Sequence, residues 1–125
     1  MATGKPEYNG DGGDAHLATL GGNPDEKFNG PYGMCIDEMG HIFIADTYNH
    51  VLRRVDAKTG IITTIAGQSK IFPHRRNDPN ERDPMRLNLP KLAGLDYHNG
   101  RLFVPEWDGD LIILRREQLE SDQAN

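Results

Sequence analysis

From residue 31 onward, apolar positions fall in short blocks separated by turn residues. Tyr32 to Asp37 is the first block, closed by Glu38-Met39-Gly40; His41 to Asp46 is the second, with Ile42, Phe43, Ile44 and Ala45 unbroken. Asp46 to His50 carries turn chemistry, Val51 to Asp56 forms a third block, Ala57-Lys58-Thr59-Gly60 turns the chain, and Ile61 to Ala66 supplies a β-branched fourth. Blocks of this length between Gly, Asp and Asn clusters predict strands, and tight turns between neighbours predict an antiparallel meander. The first two blocks are apolar at consecutive positions, which predicts cover on both faces; polar residues enter only in the third and fourth. A sheet with dry inner strands and wetter outer ones fits stacking between like sheets around an axis, the geometry of a propeller blade. On this reading Arg53, Arg54, Arg115 and Arg116 form a solvated outer face, their stems lying over apolar surface.

The rhythm recurs once. "HNGRLFVPEWDGDLIILRRE" echoes "EMGHIFIADTYNHVLRRVD": Gly100 matches Gly40, Leu102-Phe103-Val104 matches Ile42-Phe43-Ile44, Glu106 matches Asp46 and Leu111-Ile112 matches Val51-Leu52, all at an offset of 60. Before the turn the offset is 59, pairing Pro90 with Pro31, Leu95 with Ile36 and Asp96 with Asp37. Such a period exceeds the ~40 to 50 residues of a compact blade, so long linkers are expected. The expected organisation is a Gly/Asp-rich linker over 1–30, a blade over 31–67, a charged Pro-containing linker over 68–89, a degenerate second blade over 90–116 and an acidic tail over 117–125.

These residues carry a family resemblance. "GPYGMCIDEMGHIFIADTYNHVLRRVDAKTGIITTIAG" resembles an NHL repeat, with Pro31, Gly33, Asp37, Gly40, Ala45, Asp46, Thr47, Asn49, His50, Arg54, Asp56, Gly60 and Gly67 at the positions of that pattern. "NGDGGDAHLATL" is similar to the Gly-Asp-Gly-Gly linker that precedes such blades, whereas in the second copy Pro105-Glu106-Trp107 replaces Ala-Asp-Thr. The resemblance implies an all-β propeller, commonly six-bladed, that binds proteins or occasionally RNA, with a few lyase-type enzymes among its relatives. Fewer than two blades cannot close a ring, so the expected state is one in which a protein partner or further copies of the chain cover the open blade faces, three copies supplying six blades.

Composition narrows the function. The net charge of −5 disfavours RNA, despite the local run His74-Arg75-Arg76, and no apolar run approaches the ~20 residues of a membrane span. Met1-Ala2-Thr3-Gly4 opens no signal peptide, and the single cysteine, Cys35, excludes an internal disulfide and lies in an apolar block, as an inert thiol would. No nucleophile elbow, phosphate loop or zinc-helix motif is present, and the five histidines have no paired ligand spacing, so neither catalytic residues nor a cofactor nor a metal ligand set is expected.

In a four-stranded meander the loop between strands two and three lies at the end where the linkers arrive, so Asp46 to His50 and Glu106 to Asp110 are expected on one rim. Exposed aromatics beside charge make good anchors, which selects Tyr48, His50, Trp107, Asp108, His74, Arg75 and Arg76 as binding candidates. Asp46, Thr47, Asn49 and His50 also suit a turn held by its own side chains, and the Asn9 to Asp14 run suits a Gly-rich turn better than a calcium loop. Two functions stand: a non-catalytic interaction module, and part of a lyase-like propeller enzyme with a divalent metal in a channel shared by several blades.

Overall fold

The computed structural model describes residues 10–18, 31–68, 77, 80–89 and 91–121. Gly33–Ile36 (β1), Ile42–Asp46 (β2), Val51–Val55 (β3) and Ile62–Gly67 (β4) pair in chain order as one antiparallel sheet. Asp96–His98 (β5), Arg101–Pro105 (β6) and Leu111–Arg115 (β7) form a second antiparallel sheet, and the short helix Arg116–Ser121 (α1) continues directly from β7. The protein is all-β, built of propeller-blade meanders that do not close on themselves.

Each turn has its own chemistry. Between β1 and β2, Oδ1 of the buried Asp37 accepts from the backbone N–H of Met39 at 2.9 Å and of His41 at 3.0 Å. Between β3 and β4, Asp56 accepts from the N–H groups of Lys58 and Thr59, both at 2.9 Å. Between β5 and β6 only Asn99 and Gly100 turn the chain, with φ of 49° and 77°, the left-handed pair a two-residue hairpin requires. That shorter turn moves the register: Asp96 lies opposite Phe103 as Cys35 lies opposite Phe43. Asp96 therefore takes the place of Cys35 and not of Asp37, the partner its sequence alignment suggested. The Asn-Gly hairpin has no room for the side-chain-capped turn that Asp37 builds.

The core sits between the two sheets. Phe43, Ala45, Leu52, Ile65 and Ala66 meet Leu102, Val104 and Leu114, with Leu87, Leu89 and Leu92 from the connecting segment and Leu119 from α1 completing the cluster. Phe43 stacks on Tyr97 at 6.1 Å with the ring planes 6° apart. At Gly33 the backbones of the two units come so close that a Cβ would lie 2.8 Å from the Gly94 carbonyl carbon, which requires glycine there. Arg116 clasps the units at their other end, its guanidinium against the carboxylates of Asp37 (3.6 Å) and Glu38 and over the Tyr97 ring.

Two expectations about solvent are corrected. The inner strand β1 is not dry on both faces: Met34 is 70% exposed and Ile36 61%, because the second sheet covers only the side carrying Cys35 and Phe43. The expected wet outer face is also displaced, since β3 is buried almost throughout, Arg53 being 0% exposed and Arg54 buried. For Arg53 the reason is a segment far away in sequence. Residues 12–15 run along β4, with Gly12 N–H donating to the Ile62 carbonyl (2.7 Å), Ile62 N–H to that of Gly13 (3.0 Å) and Ala15 N–H to that of Gly60 (2.9 Å). This lays Asp11 on Arg53 at 2.8 Å and against the Thr64 hydroxyl. The Gly-rich run is thus a structural turn, its Asp11 engaged by the sheet. Arg115 keeps its expected exposure.

Candidate functional site

The β2–β3 connection is a 3-10 turn, Thr47–Asn49, that fastens itself from inside. Asp46 is fully buried and accepts from the Asn49 side-chain amide at 3.1 Å, while the Thr47 hydroxyl donates to the Ala45 carbonyl at 3.3 Å. His50 closes the turn in the left-handed region, φ 60°. Gly67, at φ +95°, passes so close that a Cβ would lie 2.3 Å from the His50 carbonyl oxygen. Asp46, Thr47, Asn49 and the backbone of His50 thus hold the loop, and Tyr48 is the member left to face outward contacts.

The β6–β7 connection is fixed as firmly. Glu106 bridges to Leu92, Trp107 N–H donates to the Lys91 carbonyl (2.8 Å), Glu106 N–H to that of Asp110 (2.8 Å) and Gly109 N–H to that of Glu106 (3.0 Å). Trp107 stands out of this scaffold, 66% exposed. Its ring meets Tyr32 edge-on at 6.1 Å, and Tyr32 meets Tyr48 edge-on at 5.7 Å with the two hydroxyls 3.3 Å apart. Three aromatic rings from three separate stretches of chain therefore form one patch on the rim, in the edge-to-face arrangement that ring quadrupoles favour.

Of the sequence candidates, Tyr48 and Trp107 are brought together, Asp108 lies beside them on the same loop as Trp107, and His50 serves the turn through its backbone. His74, Arg75 and Arg76 lie outside the described residues. Tyr32 was missed; its only signal was an aromatic beside Pro31 at the head of the first block, and nothing local placed it between the two loops.

Charge concentrates at the β6–β7 loop. One carboxylate oxygen each from Glu106, Asp108 and Asp110 lie within 4.8 Å of one another, Glu106 buried and the other two exposed. Burial, reinforced by the neighbouring Asp108 charge, pushes the Glu106 carboxyl above the usual carboxylate range. Away from the rim, burial and the charges of Asp96 and Asp37 push the Cys35 thiol up to about 11, so it is a poor nucleophile at neutral pH. Among the described residues no helix is long and apolar enough to cross a membrane.

Comparison with known proteins bears on the same region. A family model described as NHL repeat matches residues 28–54, which include β1, β2 and the Thr47–Asn49 turn. The chain is 45% identical over 43 residues to NHL repeat-containing protein 2 of Gallus gallus. It is 31% identical over 83 residues to Protein SUPPRESSOR OF QUENCHING 1, chloroplastic, of Arabidopsis thaliana. These matches cover 34% and 66% of this chain but 6% and 7% of those proteins, so the chain spans a small part of its curated relatives' length. A crystal structure of a structural-genomics protein of unknown function from Bacteroides thetaiotaomicron VPI-5482 superposes with a TM-score of 0.55 at 26% identity, over 74% of this chain and 22% of that one.

Proposed function

From the premise that the chain belongs to the NHL-repeat family, we propose that it is a non-catalytic protein-interaction module whose docking surface is the aromatic rim. The observation that carries this reading is the Tyr32–Tyr48–Trp107 patch, with Trp107 largely in solvent and both loops locked from beneath. Large rings on a rigid support bind with little loss of side-chain freedom, and such aromatics supply most of the energy in protein contacts. The open blade faces support the same class of function, since Met34 and Ile36 on one side and Leu111 and Ile113 on the other leave apolar surface for a protein, or a further copy of the chain, to cover.

Affinity purification with the chain as bait identifies the partner, and titration of that purified partner reads the site. Trp107→Ala is expected to weaken binding by at least about tenfold, the loss of ~1.4 kcal/mol that separates an anchor from a bystander. Because Trp107 is so exposed, its removal leaves the fold intact, which circular dichroism checks. Unchanged affinity in Trp107→Ala and Tyr48→Ala alike would move the contact off the rim and overturn the reading.

A further inference from the structure

We propose that the β6–β7 loop binds a hard divalent cation of calcium size through the carboxylates of Glu106, Asp108 and Asp110. The ligands come from one loop of one chain, so the site needs neither a closed ring nor ligands from another blade.

Three carboxylates with no nitrogen or sulfur donor among them select hard cations. Calcium accepts such oxygens in flexible geometry, with Ca–O bonds of about 2.4 Å that let one ion bridge oxygens up to ~4.8 Å apart. The three oxygens already fall within 4.8 Å of each other. Magnesium, with a rigid octahedral demand and a tightly held water shell, is taken less readily by exposed loop carboxylates.

A second observation points into the cluster independently of its charge. Glu106 is only 7% exposed, and its Oε1 is buried with no hydrogen-bond partner. The backbone of Lys91 donates to this carboxyl group, yet no N–H or O–H meets that oxygen. A buried acceptor without a partner is costly, and buried carboxylates are satisfied by donors or by metals. The Lys91 ammonium also faces Glu106. One such charge does not balance three carboxylates, and a divalent ion at their centre both completes the balance and satisfies Oε1. With two of the three ligands exposed and water filling the remaining positions, affinity belongs at the weak end of calcium sites, a dissociation constant on the order of 10⁻⁴ to 10⁻³ M.

The loop carries its own reporter. Trp107, the chain's single tryptophan, sits between two of the ligands, so Tb³⁺ bound there emits when the indole is excited. Titration of the full chain with Tb³⁺ is expected to give saturable sensitised emission, displaced by Ca²⁺ at lower concentration than by Mg²⁺. Asp108→Asn with Asp110→Asn, both at exposed positions, is expected to weaken Tb³⁺ binding at least tenfold with an unchanged far-ultraviolet circular dichroism spectrum. Glu106→Gln, which keeps shape and removes charge, is expected to do the same. Absence of saturable emission, emission indifferent to the double substitution, or displacement by Mg²⁺ as readily as by Ca²⁺ would each overturn the proposal.

Discussion

Arg53 and Arg54 are adjacent in sequence, and because a strand alternates they point to opposite faces of the first sheet. Arg53 lies on the face that Asp11 reaches, sandwiched between that carboxylate at 2.8 Å and the fully buried Asp46 at 3.9 Å. Taking one member from a buried charge pair leaves the other uncompensated, which costs far more than the pair contributes. Arg53→Met is therefore expected to destabilise the chain by about 3 to 5 kcal/mol in urea unfolding, mainly by stranding Asp46. Arg115→Ala, on an exposed strand position, should stay within ~0.5 kcal/mol of the parent. Similar costs at the two arginines would mean that Asp46 is satisfied without Arg53. The run Val51-Leu52-Arg53-Arg54 gave no hint of this difference. A strand pattern reports which residues share a face, and the cover on that face comes from a segment 42 residues earlier.

At the scale of elements, the strands follow from local pattern and the turns from local chemistry. β1 to β4 occupy the four apolar blocks because each block ends at an Asp or Gly whose side chain or positive φ reverses the chain. The second unit kept the same inner strand β6 with different turns on either side, so its resemblance to the first is real in β6, slips in β5 and shifts by one residue in β7, where Leu111 lies opposite Pro105 as Leu52 lies opposite Ala45. α1 is the element whose importance the sequence understated. The stretch reads as an acidic tail, but its Leu119 is buried in the core cluster with Leu87 and Leu114. Six residues make too short a helix to be stable on propensity alone, so α1 is held by that contact, by its junction with β7 and by the Arg116 ion pairs with Asp37 and Glu38. Leu119→Ala is expected to cost about 2 to 4 kcal/mol and to melt α1 first, read as loss of amide-exchange protection over 116–121. A cost near zero would mean that α1 adds nothing to the core.

For the whole molecule, the decisive fact is that two sheets cover each other on one face apiece. Met34 and Ile36 on the far side of the first sheet, and Leu111 and Ile113 on the far side of the second, stay exposed. Apolar faces of this kind associate in water. Light scattering on a sizing column is expected to give a mass above the 14.0 kDa of one chain, rising with concentration. Met34→Glu with Ile113→Lys, both on exposed faces, should return it to one chain without loss of strand content. A parent chain that runs at 14.0 kDa at every concentration would refute association through these faces.

The sequence by itself determined the blade: alternating blocks and turn residues set strand order, and the motif from Pro31 to Gly67 set the likeness to an NHL repeat. These are local properties, encoded where they act. Tertiary structure alone decided what is dry and what is joined. It covered β3 with Asp11's segment, left half of β1 in water, and set Tyr32 between Tyr48 and Trp107. It also placed the Glu106 carboxyl, one of whose buried oxygens has no hydrogen-bond partner, among the loop's carboxylates. Burial and proximity depend on which distant segments arrive at a surface, and no spacing along one stretch of chain records that arrival.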